Sequence, residues 1–280
     1  MSRQRLYWAA GITAGLLLLP FLALQLIPDQ TIEQTVVRLL ASRGITMQAG
    51  RFTVGFPASV NASDLTLGTT SDTLLKADQL RVRPRLLPLV LGRLSLKLDG
   101  RIGAAGTLQG QLQVAPRLEG NLQVNELQLV DLPIAATVFG SGLSGVGRLD
   151  LSITDADERG VSGDIKLQIR NLRLQQVRLG SLPLPNVTFP EVRGLAKLQG
   201  QTVALTNLAL QGSGLYARLS GTLNLAPQAP LQLQLELMPD AELLASQQSV
   251  FLLMLPFQVT AGSYRLPIGG TLNSPQLATR

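Results

Sequence analysis

The sequence predicts a mainly β protein: an N-terminal transmembrane helix followed by a curled antiparallel sheet, with two or three short helices. Three observations carry this. From Leu6 to Ile27 the chain is almost wholly apolar and has no charged residue. From Ile45 onward, apolar residues recur at every second position in run after run, with Gly, Pro, Asn or Asp between most runs. That is the pattern of strands joined by hairpins. Only two later stretches break the period of two.

A helix needs about 20 apolar residues to cross the hydrocarbon core of a bilayer, and Leu6–Ile27 is long enough. Arg3 and Arg5 precede it, whereas Asp29 and Glu33 follow it and no basic residue appears before Arg38. Basic flanks stay in the cytoplasm, so the N-terminus is expected there and the rest of the chain on the far side. The competing reading is a cleaved secretory signal, whose apolar region runs about 7–15 residues and ends in a small-x-small site. Here Phe21, Leu22, Leu24, Leu26 and Ile27 carry the run on without such a site. The expected organisation is a cytoplasmic stub and anchor over residues 1–28 and an exported β-rich domain over residues 29–280. Gly11 and Gly15 form a small-xxx-small pair, a spacing that lets membrane helices approach closely.

Beyond the membrane, Thr31 and Gln34 fit a capping box, and Ile32, Val36, Leu39 and Leu40 recur at helical spacing up to Gly44. A short helix is expected from about Thr31 to Arg43. Alternating runs then follow at Leu94–Asp99, Leu108–Val114, Leu118–Leu129, Leu149–Ile153, Ile165–Leu174 and Leu231–Leu237, with looser ones near Val203, Leu208 and Leu219. Asp131–Gly140 has a capping aspartate, an early proline and a closing glycine, and reads as a two-turn helix. Pro239–Pro256 reads as a longer helix, with Leu243, Leu244, Phe251 and Met254 on one face.

Strict alternation gives each strand one greasy and one wet side. The greasy positions Leu94, Leu96, Leu98, Leu122, Val124, Leu167, Ile169, Leu205, Leu223, Leu225, Leu233 and Leu235 are expected to line one concave interior. The intervening Lys97, Gln123, Gln168, Asn224 and Gln234 are expected to face water. A dozen such strands have too few helices to cover them, and a layered domain must bury its apolar faces against something. The sheet must therefore curl on itself, as a sandwich, a barrel or a taco-like groove. The groove would leave an elongated apolar trough suited to acyl chains, with phospholipid as a possible ligand.

Composition excludes several kinds of chemistry. The 280 residues include no cysteine and no histidine. Disulfides, thiolate nucleophiles, serine–histidine relays and histidine-ligated zinc are all ruled out. Of 24 basic residues two, Arg3 and Arg5, precede the anchor, leaving 22 against 18 acidic residues in the exported part. That thin excess gives no nucleic-acid face. The local basic cluster is Arg81, Arg83 and Arg85, on one side of a strand: a solvated face, or a contact for anionic head groups or an acidic partner. Gly140–Gly145 satisfies G-x-G-x-x-G, but a strand and not a helix follows, so no dinucleotide site is expected. Asp155-Ala-Asp157 starts like a calcium loop, but Arg159 and Lys166 stand where oxygen ligands belong, so a hairpin tip is expected. No nucleophile motif is found, and neither catalysis, metal nor cofactor is predicted.

The N-terminal arrangement also resembles the AsmA-like envelope proteins. The residues concerned are the single anchor, Leu39-Leu-Ala-Ser-Arg-Gly44, Ile45–Val54, Asn61–Gly68, and Leu80-Arg-Val-Arg-Pro-Arg-Leu-Leu-Pro-Leu-Val-Leu-Gly92. Leu143–Ile153 is similar to a second element of that group. The length and the ending Arg265–Leu277 look most like its type II secretion protein N branch. The resemblance implies a non-enzymatic, single-pass protein of the bacterial inner membrane with its β domain in the periplasm. It also implies other type II secretion components as partners.

Overall fold

The computed structural model describes residues 46–55, 59–68, 73–85, 88, 93–115, 118–133, 142–157, 160–224, 229–271 and 274–278. The expected span Leu6–Ile27 with Gly11 and Gly15, the expected helix at Thr31–Arg43, and Leu225 lie outside them. Among the described residues no helix is long and apolar enough to cross a membrane.

One antiparallel sheet of sixteen strands dominates what is described. Short β1 (Thr46–Gln48) and β2 (Arg51–Gly55) both pair with β3 (Ser59–Gly68). β4 (Thr73–Pro84), β5 (Leu94–Ile102), β6 (Gly106–Ala115), β7 (Glu119–Gln128), β8 (Leu143–Asp157) and β9 (Gly160–Leu174) follow as successive neighbours. The chain then forms a separate small hairpin, β10 (Arg178–Leu179) with β11 (Leu182–Pro183), and rejoins the sheet beside β9 as β12 (Val187–Gln199). β13 (Thr202–Gln211), β14 (Leu215–Asn224) and β15 (Gln232–Pro239) continue the meander. Two short helices, α1 (Ala241–Ser246) and α2 (Gln248–Leu253), precede β16 (Gln258–Thr260). β17 (Ser263–Thr271) lies beside β15 and pairs with both β16 and β18 (Ser274–Leu277). Among the described residues β1 and β2 pair only with β3, and β16 and β18 only with β17, so the sheet described is open.

Register sets which side chains share a face. Leu98 lies opposite Gly110, which lies opposite Leu122, then Leu151 and Ile165. Ala196, Leu205, Gly221, Leu233 and Ile268 extend the same line across the sheet. The period of two slips where the register breaks. Val124 and Leu127 share the apolar face three residues apart, with Glu126 between them at φ 53°. Ile169 and Leu172 do the same around Asn171, opposite the break at Ser144/Val146, and Leu205 and Leu208 around a third break. Each bulge bends its strand and increases its twist while keeping the greasy side greasy.

The bulges at Glu126 and Asn171, each carrying a left-handed residue, lie toward one end of the strands, the bulged end, where Ile102, Leu127, Ile169 and Tyr264 sit; further register breaks at Leu94/Ser95 and Ile153/Asp155 lie at the opposite end. The deepest burial is at the bulged end. Val192 is 0% exposed, Ile102, Phe189 and Leu266 are fully enclosed, and Leu215 and Leu237 are buried. A lone sheet cannot bury its own face, so other chain must cover it. Phe251 and Met254 from the α2 segment pack into the main cluster, and Leu179 of the small hairpin packs against Leu231 and Ile268.

Of the two expected later helices, the first, over Asp131–Gly140, lies almost wholly outside the described residues: Leu129–Asp131 is a 3-10 turn, Leu132 is extended (φ −86°, ψ 112°), Pro133 is helical, and residues 134–141 are not described. The Asp131 carboxylate accepts from Ala104 N at 3.1 Å, tying down the β5–β6 turn. The single helix expected over Pro239–Pro256 is two helices and a 3-10 turn. Asp240 caps the first as its sequence suggests, accepting from Leu243 N at 2.8 Å. The break falls at Gln247 (φ −122°, ψ 38°), whose side-chain amide clamps Asn186 by accepting from its N–H and donating to its carbonyl, both at 2.9 Å. A contact 61 residues away thus overrides local helix preference. Phe251 and Met254 remain the buried anchors of that face.

Truncating Phe189 or Met254 to alanine should cost about 2–5 kcal/mol, the range for large-to-small changes in a closed core. Urea denaturation of the purified chain reads this directly.

Candidate functional site

The apolar face is the feature with most capacity to bind something. Leu94, Leu96 and Leu98 lie on β5, Leu122 and Val124 on β7, Leu167 and Ile169 on β9, Leu205 on β13, Leu223 on β14, and Leu233 and Leu235 on β15. Register puts all eleven on one side of the sheet. Their surroundings differ. Val124 and Ile169 are buried, and Leu167 and Leu235 pack onto the main core. Leu223 and Leu233 pack onto the cluster of Leu179, Leu231 and Ile268. Leu94, Leu96, Leu98, Leu122 and Leu205 are half-buried and belong to none of the three core clusters.

The loosely covered area is therefore the end of β5–β8 opposite Ile102 and Leu127. Leu112, Leu151 and Ile165 extend it; they were legible as alternating leucines and isoleucine, but only register joins them to the same patch. Glycines shape it. A Cβ on Gly110 would sit 2.9 Å from Leu122 Cδ1 and 2.7 Å from Asn121 O, and one on Gly120 would sit 3.0 Å from Leu112 Cδ1. Leucine on one strand leans over glycine on the next, so the face is apolar yet tightly drawn together.

The opposite face is a ladder of polar pairs. Gln123 donates to Asp150 at 2.7 Å, Gln168 to Glu191 at 2.6 Å and Gln234 to Glu236 at 3.2 Å. Arg148, Arg193 and Arg265 join these same carboxylates. Lys97 is exposed beside Asp99, while Gln123, Gln168, Asn224 and Gln234 are half-buried by their neighbours. Such surface pairs contribute little each, at most about 1 kcal/mol.

The structure divides the arginine cluster. Arg81 donates to Asn61 Oδ1 at 2.6 Å, Arg83 pairs with Asp99 at 2.9 Å, and Arg85 donates to Gln111 Oε1 at 3.1 Å. All three are on the polar side, away from the leucines. Arg85 shares a cleft of about 930 Å³ with Arg93, Ser95, Gln113 and Glu119, where the glutamate offsets the positive charge.

Two carboxylates on this face titrate low. Burial pulls the Asp99 pKa upward, but hydrogen bonds from Arg83 and Lys97, aided by their charges, outweigh it and leave the group below its ordinary 3.8. Hydrogen bonds from Arg193 and then Gln168 hold Glu191 below 4.5. Both are structural ion-pair effects.

No family model, curated protein or solved structure matches this chain. The resemblance to the AsmA-like group thus rests on sequence pattern.

Among the described residues no group of acidic side chains is placed to hold a metal ion. Asp157 pairs with Gly160 across the β8–β9 turn, which makes the calcium-like stretch a hairpin connection. The G-x-G-x-x-G stretch runs into β8, and its Gly145 (φ 154°) sits at the β8 register break. Among the described residues, what the site offers is apolar surface.

Asp99→Asn should lower stability by a steady amount at pH above the ordinary 3.8. A depressed carboxylate pKa contributes above its unfolded value and loses that contribution as pH falls through its folded value. The gap between wild type and variant should close below that point. Urea midpoints measured across the acid range read the closing gap.

Proposed function

We propose that this is a non-enzymatic component of the bacterial cell envelope, held in the inner membrane by Leu6–Ile27. Its periplasmic sheet curls into a taco-like groove that takes acyl chains of phospholipids. The observation that carries this reading is Leu94, Leu96, Leu98 and Leu122: an apolar patch on an open sheet, half-buried and outside every core cluster. Two features support the curl. Bulges bend several strands, and glycines on the apolar face allow close approach of neighbouring leucines. Full burial of one leucine side chain is worth about 1.5–3 kcal/mol, so a row of half-covered leucines is a substantial drive to take up an alkyl chain.

The setting we propose is the type II secretion system, as one of its inner-membrane components. The pattern from Leu80 to Gly92 and the ending Arg265–Leu277 favour it. The two readings are compatible: a secretion component can hold lipid. They part on what copurifies. Mass spectrometry of the purified chain should find phospholipid, and Leu98→Arg or Leu122→Glu should remove it without unfolding the protein. A lipid-free chain bound to secretion components would favour the structural role alone, and loss of secretion on deleting the gene would place it in that machinery.

Topology is tested separately. A reporter active only outside the cytoplasm should work when fused after Arg280, and the N-terminal sequence should be intact. A mature chain beginning near Gln25 or Pro28 would mean a cleaved signal.

A further inference from the structure

Eight large apolar side chains are exposed among the described residues, and seven of them lie at the bulged end of the sheet. Val130 (63% exposed) follows the end of β7 there. Tyr216 faces Met238 across β14 and β15 at the same level. Leu252 (55%), Leu253 (57%), Leu255 and Val259 (51%) belong to the connection that leaves β15 and returns to β17 at that end. Only Leu195 is elsewhere, in mid-strand. Exposed apolar residues scattered singly are ordinary, but a shared patch marks a contact.

Two further observations name the occupant. Between Glu242 and Arg265 the chain has no charged residue, although it is surface connection for much of that length. Such a segment suits the interfacial layer of a bilayer, where apolar side chains enter and backbone stays near head groups. The chain also arrives at this end: Thr46 pairs with Gly68, next to the β3–β4 turn. The 18 residues between Ile27 and Thr46 lead straight into this end, so the proposed membrane span delivers the chain here. Arg173, near the end of β9, is exposed at the same end, placed to meet anionic head groups.

We infer that the bulged end of the sheet rests on the membrane, with Leu252, Leu253, Leu255 and Val259 inserted into the lipid interface. This contact is separate from the groove, which loosens toward the opposite end, and it rests on the proposed anchor only for its tether. The groove's looser end then points away from the bilayer, toward whatever receives or supplies its contents.

The chain has no cysteine, which allows single labels. Leu253→Cys, Val259→Cys and, at the far end, Thr222→Cys would each carry an environment-sensitive fluorophore on the full chain in phosphatidylethanolamine–phosphatidylglycerol vesicles. The expected result is blue-shifted emission at 253 and 259, quenching by lipids brominated on the acyl chain, and little quenching by iodide. The label at 222 should show the reverse. Iodide quenching at 253 and 259 equal to that at 222 would overturn the inference. So would protection from both quenchers, which would mean a protein partner, a second copy or the N-terminal segment covers the patch. Carbonate extraction of the same vesicles reads anchorage on its own, so a missing anchor and a missing contact are told apart.

Discussion

The constraint on which everything else depends is the cover of one apolar face. The long strands present a row of Leu and Ile, broken by Gly110, Ala196 and Gly221, on one side. Among the described residues, separate cover comes from the α1–α2 segment and the β10–β11 excursion, joined by Leu129 and Leu132 of the turn after β7. These cap the later strands, where Phe189, Val192, Met254 and Leu266 are enclosed. They do not join the clusters around β5–β8, so the leucines there are left half-covered. Burial of apolar area drives folding, and a face left part-exposed by such a fold is either a defect or a binding surface. The proposed groove treats it as the second.

Electrostatics has a secondary role. The polar side is populated by Gln, Asn and ion pairs that reach across neighbouring strands, such as Arg83–Asp99 and Gln168–Glu191. They fix register and keep this side wet, which in turn fixes which residues face the other way. A slip of one residue would turn every leucine toward water. The basic cluster at Arg81, Arg83 and Arg85 is largely consumed in this network. Contact with anionic lipid is better placed at the bulged end, beside the exposed leucines.

Much of this was legible in the sequence because period-two alternation is a local property. β5, β6 and β15 follow from it closely, and so does the sharing of a face by Leu94, Leu96 and Leu98. The bulges were not legible. Asn125–Glu126 and Asn171 fall inside the runs Leu118–Leu129 and Ile165–Leu174, which read as alternating throughout, and only pairing shows that the period slips there to return Leu127 and Leu172 to the apolar side. The helix break at Gln247 depends on Asn186, and the role of Asp131 on Ala104; both partners are distant in sequence. The excursion over residues 175–186 carries few apolar residues in no clear period. Its Val177, Leu179 and Leu182 gain their meaning from the sheet they cover.

The most direct test of the central claim is solvent access along the apolar face. In the cysteine-free chain, single cysteines at Leu96, Leu98 and Leu122 should react with a small maleimide in the native state, and bound phospholipid should slow the reaction. A cysteine at Val192 should stay unreactive until the protein unfolds. Equal protection at all four positions, unchanged by lipid, would contradict the account and leave a closed dry core.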